Sequence, residues 1–291
     1  MRTHAPYEPL VSVLTPSFNQ ARWLADNLRS VACQTYQRIE HIVMDGGSND
    51  GSRDLLEAAG PQVRWKSEPD RGQSHALNKA LAESGGQVIG WVNSDDAYFD
   101  SRVVDDVVRF FARNPGVDVV YGHAAYVNAD GRILHYFWAP PFHCWMLRLL
   151  DYIRQPTVFL RRRALGDHLV DESFGFAMDY ELWLRLAQRH RFARFDRVIA
   201  IDRVQPERKS QTLLHVMRSD IERLAAAHGV VVSPAARPFK SAHDIYCRFR
   251  GARLAVTDHG ELAFSGRQDR RSAVLRRQVA SRRSTMPVSD R

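Results

Sequence analysis

The chain has 291 residues, 44% of them apolar, which is sufficient for one substantial hydrophobic core or for one domain with an appendage. Its three widely separated cysteines (Cys33, Cys144 and Cys247) argue against a disulfide framework or a zinc site and favour a reducing compartment. No apolar run reaches the roughly 18 to 20 residues of a membrane-spanning helix, and residues 1–10 carry no secretory pattern, so we expect a cytoplasmic protein.

The excess positive charge is confined to the C-terminal part of the chain. Residues 1–229 contain 28 basic and 28 acidic residues, whereas residues 230–291 contain 13 and 5, which accounts for the whole net charge of +8. The larger part therefore has no general electrostatic reason to bind nucleic acid, and we expect no nucleic-acid partner.

The first half alternates short apolar runs, typical of buried strands, with stretches of helical period. Strands are predicted at residues 11–14, 39–44, 63–66, 88–92 and 117–121, with helices between them at 23–32, 54–59, 74–82 and 103–112. This order predicts an α/β fold with a Rossmann-like, mostly parallel central sheet. Right-handed crossovers would place helices on both faces of the sheet.

The second half is less regular. A hairpin is predicted around residues 128–131, strands at 155–160 and 198–201, and helices at 179–188 and 212–227, with Glu181 facing solvent. The pattern weakens after Gly229, so we expect a domain over residues 1–229 and a basic, partly disordered extension over 230–291. The Arg-rich segment 267–283 has two interpretations: peripheral contact with anionic lipid at the inner face of a membrane, or a solvated tail without a partner.

Acidic residues follow the predicted strands of the first half. Asp45, Asp70, Asp95 and Asp96 each come after one of three successive strands, and the carboxyl ends of parallel strands meet at one edge of a sheet. Clustered carboxylates repel one another, and a cation relieves that repulsion; Mg²⁺ or Mn²⁺ would suit such oxygen ligands and would bridge substrate phosphates. Taken singly, each of these loops is also consistent with an ordinary turn or helix cap.

These segments together resemble the family 2 glycosyltransferases of GT-A fold, over about residues 9–225. The matching segments are residues 11–19 (VSVLTPSFN), 30–36 (SVACQTY), 45–52 (DGGSNDGS), 70–80 (DRGQSHALNKA), 93–96 (NSDD) and 179–186 (DYELWLRL). Their order and spacing, more than any one motif, make the resemblance specific.

The resemblance implies a nucleotide-sugar donor, usually a UDP-sugar, and a divalent metal ion. The residues that it places around the nucleotide-sugar are Thr15, Pro16, Ser17, Asn19, Asp45, Asp70 and Asp95. Asp96 matches the metal ligand of the family, and Asp95 would contact the ribose or the cation. Asn93 stands where many relatives have another aspartate, so the metal assignment depends on Asp96.

The resemblance also implies an inverting transfer with Asp179 as the base that removes a proton from the acceptor hydroxyl. The alternative is that Asp179 only stabilises the start of its helix. Arg203, Arg208 and Lys209 are candidate contacts to the diphosphate, because cationic donors suit phosphate oxygens, although a solvated basic loop explains them equally well.

The sequence therefore predicts a metal-dependent transferase that acts on a glycan, a lipid-linked or a small-molecule acceptor, in cell-surface polysaccharide or glycolipid synthesis. One alternative is a nucleotide-sugar or glycan binder without catalytic activity. A second is a sugar-phosphate nucleotidyltransferase, but residues 15–19 lack the glycine-rich basic loop expected of that class.

Overall fold

The computed structural model describes residues 7–205, 214–231, 238 and 241–247. Within them, nine strands form one sheet: β1 (Val11–Ser17), β2 (Ile39–Asp45), β3 (Val63–Ser67), β4 (Val88–Trp91), β5 (Ala97–Tyr98), β6 (Val119–Val127), β7 (Ile133–Phe137), β8 (Phe159–Arg161) and β9 (Phe192–Arg203). The helices are α1 (Ala21–Ala32), α2 (Ser52–Ala58), α3 (Gln73–Ala82), α4 (Val103–Arg113), α5 (Cys144–Leu149), α6 (Met178–Leu186) and α7 (Leu214–His228).

The strand order is β3-β2-β1-β4-β8-β6-β9-β5, with β7 paired to β6 outside this path. The first four strands are parallel, as predicted. β8 lies between β4 and β6 and runs antiparallel to both, while β6 and β9 are parallel. The parallel part places the carboxyl ends of β1, β2 and β4 at one edge of the sheet.

Alternation of side chains along the strands explains why helices cover both faces. In β1, Val13 packs towards α4, whereas its neighbour Leu14 packs towards α3 and α6. In β2, Ile42 joins the face of Leu14, and Val43 packs with α1 and α2 on the other. Successive side chains of a strand point to opposite faces, so strands buried on both sides read as continuous apolar runs.

Several elements of the second half differ from the sequence prediction. Residues 155–160 form a 3-10 turn (Gln155–Thr157) followed by the short strand β8, because Pro156 cannot donate a ladder hydrogen bond. The predicted strand 117–121 and the first hairpin strand are one continuous strand, β6. β9 begins at Phe192, earlier than predicted, because it pairs along most of β6. The two-residue strand β5 was not predicted.

The prediction that Glu181 faces solvent is wrong. Its side chain is buried, and its carboxylate accepts two hydrogen bonds from Arg185 Nε, at 2.9 and 3.2 Å. α6 is covered on nearly every side, so the ion pair with Arg185 replaces most of the hydration that this carboxylate would have at the surface.

Part of the extension after Gly229 packs against the domain. Residues 241–247 are helical, and Cys247 is buried in the main core, where its Sγ accepts a hydrogen bond from Trp138 N at 3.3 Å. Residues 248–291 lie outside the described residues, and so do the disorder predicted for this end of the extension and the basic stretch 267–283. In the described part of the chain, no helix combines the length and the apolar character needed to cross a membrane.

Candidate active site

A cleft of about 700 Å³ opens at the carboxyl ends of β1 and β4. Of the predicted site residues, those that line it are Pro16, Ser17, Asp70, Asp95, Asp96, Asp179 and Arg203. These residues come from loops far apart in the sequence, and the parallel strands and α6 bring them to one opening. Acidic side chains from the loops after β3 and β4 and from α6 therefore line the same cleft.

Thr15, Asn19 and Asp45 do not line the cleft; Thr15 and Asp45 are buried, whereas Asn19 is exposed. Thr15 is buried, and its Oγ1 lies 3.0 Å from Nε2 of His41, whose pKa burial lowers to about 3. Asn19 has a left-handed backbone conformation (φ 52°), which asparagine tolerates, and its Oδ1 accepts a hydrogen bond from Asn49 N at 3.1 Å. Their contact with a nucleotide stays a prediction.

Asp45 organises the loop after β2. Its buried carboxylate accepts hydrogen bonds from the backbone of Gly47 and Ser48, from Ser48 Oγ at 2.5 Å and from Ser67 Oγ at 2.6 Å. These bonds fix the path of residues 46–48, and Gly46 is the member of this loop that lines the cleft.

The loops after β1, β2 and β3 meet at the mouth of the cleft. A Cβ on Gly46 would lie 3.0 Å from Asp70 Oδ2 and 3.1 Å from Phe18 Cδ2, so any other residue here would force these side chains to shift by a few tenths of an ångström. The aromatic ring of Phe18 lines the cleft and is 60% exposed, an unusual state for a large apolar side chain. The mouth of the cleft thus presents the carboxylate of Asp70 beside the exposed ring of Phe18.

The Asp95–Asp96 turn follows β4 and is held from several sides. Asp96 is buried, and its Oδ1 accepts a hydrogen bond from Arg203 N at 3.0 Å. The buried Asn27 of α1 donates to the carbonyls of Asn93 and Asp96, at 2.9 and 3.2 Å. Gln205 Nε2 donates to Asp95 Oδ2 at 3.2 Å. The two carboxylates are therefore presented to the cleft on a fixed backbone.

Arg203 lines the cleft, yet its guanidinium is already engaged. It donates to Asp95 O at 3.0 Å and to Asp26 Oδ2 at 3.1 Å, and it lies over the Trp23 ring at 4.7 Å. Its direct contact with a diphosphate stays a prediction. Arg208 and Lys209 lie outside the described residues.

Asp179 is the second residue of α6 and shares its wall of the cleft with Asp151 and Arg154. Burial, and then the charge of Asp179, raise the pKa of Asp151 to about 7, while Arg154 opposes the shift. Asp151 Oδ1 and Arg154 Nε are buried without a hydrogen-bond partner among the described residues. Unsatisfied buried polar atoms are rare in native structures, and both residues line the cleft, so these two atoms are candidate contacts for a ligand.

Asp151, Arg154 and Phe18 are among the cleft residues that the sequence did not assign to the site. Asp151 interrupts the mostly apolar segment 142–153, as Arg148 does, and a carboxylate there was a signal, because burying a charge among apolar residues is costly unless the charge has a partner. Nothing in the local sequence of Arg154 distinguishes it from a surface residue.

The residues present fit a divalent cation that is shared with a ligand. Within the described residues, no group of three or more His, Cys, Asp and Glu side chains could enclose a metal by itself. Mg²⁺ and Mn²⁺ in phosphate sites need only one or two protein carboxylates, because phosphate and water oxygens complete the shell. Asp95 and Asp96, side by side in the cleft, meet that requirement.

Comparison with known proteins identifies the class of enzyme to which this fold and site belong. The family model of Glycosyl transferase family 2 matches residues 12–179, and the chain belongs to that family.

An uncharacterized glycosyltransferase of Mycobacterium tuberculosis strain CDC 1551 is 32% identical over 200 residues, which cover 62% of this chain and 69% of the relative.

Solved structures confirm the predicted GT-A fold. Staphylococcus aureus TarS 1–349 in complex with UDP-GlcNAc has a TM-score of 0.59 at 19% identity, over 74% of this chain and 66% of that one, just under two thirds of its length. Glucosyl-3-phosphoglycerate synthase of Mycobacterium tuberculosis, in complex with Mn²⁺, UDP and glucosyl-3-phosphoglycerate, has a TM-score of 0.57 at 18% identity. The match covers 77% of this chain and 82% of that one.

Proposed function

We propose that this chain transfers a sugar from a UDP-sugar to an acceptor hydroxyl with inversion. Asp96 is the protein ligand of Mg²⁺ or Mn²⁺, and Asp179 is the base. The observation that carries the proposal is that Asp96, at the end of β4, and Asp179, at the start of α6, line the same cleft. Donor, cation and acceptor can then meet in one place.

The donor would enter beside the loops after β1, β2 and β3. Phe18 offers an exposed ring for a base to stack on, and Asp70 offers a carboxylate for the N–H or O–H donors of a nucleoside. The cation held by Asp96 would neutralise the departing diphosphate and stabilise its charge. UDP and Mn²⁺ in the solved structures of fold relatives support this choice of donor and metal.

The acceptor would approach the wall that carries Asp179. An acceptor hydroxyl loses its proton as it attacks, and the carboxylate of Asp179, which lines the cleft, would take it. The unpartnered atoms of Asp151 and Arg154 beside it would bind further acceptor oxygens. A polar, hydroxyl-rich acceptor such as a glycan fits this wall, and a role in cell-surface polysaccharide or glycolipid synthesis, on the cytoplasmic side of the membrane, is consistent with it.

Binding and turnover of UDP-sugars with Mn²⁺ or Mg²⁺ test this proposal. We expect Asp96→Ala to abolish metal-dependent UDP binding in calorimetry, because the cation loses its protein ligand. Asp179→Asn should leave donor binding within about twofold and reduce transfer by at least about 100-fold, since it removes only the base.

The exposed Asp167 provides the control, and Asp167→Ala should behave as wild type. Failure of the wild-type chain to bind any UDP-sugar with either metal would refute the donor assignment. Binding without turnover over a panel of acceptors would instead favour the non-catalytic alternative.

A further inference from the structure

We propose that Asn93 is a positioning residue. Its neutral side-chain amide holds the carboxylate of Asp96 in the orientation that receives the cation, and it ties this carboxylate to Gln155. This inference rests on the proposed role of Asp96 as the metal ligand. Asn93 would orient that ligand and would not bind the metal itself, as an additional acidic residue could.

The hydrogen bonds of the Asn93 amide determine its orientation. Its Oδ1 accepts from Trp91 Nε1 at 2.8 Å and from Gln73 Nε2 at 2.7 Å. An indole nitrogen can only donate, so the amide oxygen faces Trp91 and the amide nitrogen must face the other way. There Nδ2 lies 2.9 Å from Gln155 Oε1 and 3.4 Å from Asp96 Oδ2.

Gln155 confirms the same direction from the opposite end. Its Nε2 donates to the carbonyl of Trp91 at 2.6 Å, which leaves its Oε1 to accept from Asn93. Each amide in this chain of contacts therefore has one consistent assignment. With two accepted and two donated hydrogen bonds, Asn93 has no unused donor, and both of its acceptor positions are taken.

Asp96 is thereby held at both oxygens. Arg203 N donates to Oδ1 at 3.0 Å, and Asn93 Nδ2 approaches Oδ2. A carboxylate oxygen can accept more than one contact, so each oxygen keeps the capacity to bind a cation. A ligand whose orientation is fixed before binding loses less conformational freedom when the cation arrives, and groups behind a ligand commonly affect metal affinity for this reason.

An aspartate at position 93 would not reproduce this arrangement. Its first oxygen would still accept from Trp91 and Gln73, but its second would face Asp96 Oδ2 and Gln155 Oε1, at the places where Nδ2 now donates. Two hydrogen bonds would become oxygen–oxygen repulsions. The neutral amide therefore makes this arrangement of Asp96 stable before a cation binds.

The test uses the full-length chain with two substitutions at position 93 and one control. Asn93→Asp should lower the metal-free thermal midpoint by several degrees, because it places like charges together. Asn93→Leu, of similar size but without donors, should weaken Mn²⁺ binding about tenfold, measured by electron paramagnetic resonance of free Mn²⁺.

Asn128→Asp is the matched control. The Oδ1 of Asn128 accepts from the backbone of Asp130 and Arg132, at 3.0 and 2.9 Å, and a carboxylate accepts the same bonds. This variant should keep the wild-type midpoint and Mn²⁺ affinity.

The two readouts separate this inference from the proposed function. Wild-type Mn²⁺ affinity in Asn93→Leu, or a wild-type metal-free midpoint in Asn93→Asp, would overturn the role of Asn93. If the wild-type chain itself does not bind Mn²⁺, the metal assignment fails, and with it the reason for holding Asp96. A lower midpoint of Asn93→Asp would then show only a structural role.

Discussion

Gly46 shows how a residue without a side chain shapes this cleft. Its place in the loop is fixed by Asp45, which holds residues 47 and 48, and it lies between Asp70 and Phe18 at the mouth. Asp45 thus contributes to the site through the backbone that it positions, because its own carboxylate is buried.

We predict that Gly46→Ala weakens UDP binding about tenfold, which corresponds to about 1.4 kcal/mol. The added methyl group would press on Asp70 and Phe18, which must move away from their present positions. Calorimetric titration with UDP and Mn²⁺ measures the effect. Gly166→Ala, where a methyl group would meet open space, is the control; equal affinities in the two variants would contradict the prediction.

The raised pKa of Asp151 predicts that the free energy of unfolding depends on pH. Its pKa is raised from 3.8 to about 7 in the folded state, by burial and by the charge of Asp179, against the opposing charge of Arg154. The folded chain therefore holds a proton that the unfolded chain has released between these values, and folding stability falls as pH rises through this window. The loss ends where the pH passes about 7, because the folded chain then releases the proton as well.

Asp151→Asn should remove this dependence, because asparagine stays neutral. We expect the variant to gain stability relative to wild type as pH rises from about 5 to about 7, and the difference to level off at higher pH, measured by urea denaturation at each pH. A difference between the two proteins that is constant with pH would show that Asp151 does not titrate in this range.

At the scale of elements, α6 depends on a residue of α7. Asp220 is buried, and its Oδ2 accepts hydrogen bonds from the backbone N–H groups of Phe176 and Ala177, at 2.7 and 3.0 Å. These groups precede the first turn of α6, which has no capping side chain of its own. A carboxylate from a distant helix therefore performs the part of an N-cap and fixes the segment that leads to Asp179.

We predict that Asp220→Ala destabilises the fold by about 2 kcal/mol, because two backbone donors lose a charged acceptor. Transfer should fall in kcat more than in the KM of the donor, since the acceptor side is disturbed. Asp220→Asn, which keeps an acceptor oxygen, should recover most of both losses.

Glu222→Ala on the same helix is the comparison, because this glutamate pairs with Arg218 at the surface, where ion pairs contribute little. If Asp220→Ala proves no more harmful than Glu222→Ala, α6 does not depend on this contact.

At the scale of the whole molecule, residues 241–247 join the C-terminal extension to the core. Cys247 is buried against Trp138, and His243 Nε2 lies 2.8 Å from the Trp138 carbonyl. A chain that ends after residue 231 should therefore lose about 2 kcal/mol of stability relative to one that ends after residue 250. Urea denaturation of both chains tests this, and coincident curves would contradict it.

The chain that ends after residue 250 also tests the proposed membrane contact. It keeps the helical segment but lacks the basic stretch 267–283. The full chain should bind anionic vesicles weakly and in a salt-dependent manner, and the shortened chain should not. Equal binding by both would assign membrane contact to another surface.

Local patterns of the sequence determined the family, the fold and most elements of the first half. Short apolar runs identify the first four strands, and the parallel direction of these strands predicts that the acidic residues after them lie at one edge of the sheet. These signals operate over a few residues, so they are visible before folding.

Tertiary structure alone decided the insertion of β8 between β4 and β6, the burial of Glu181, the amide contacts of Asn93 and the proximity of Asp151 to Asp179. In each case the contacting residues are distant in the sequence and meet only when the chain packs, or, for Glu181, other elements cover the helix and bury the side chain. The sequence does not distinguish a carboxylate that faces water from one that faces an arginine or another carboxylate. Its neighbours in space, by setting its solvation and its hydrogen bonds, decide what it can do.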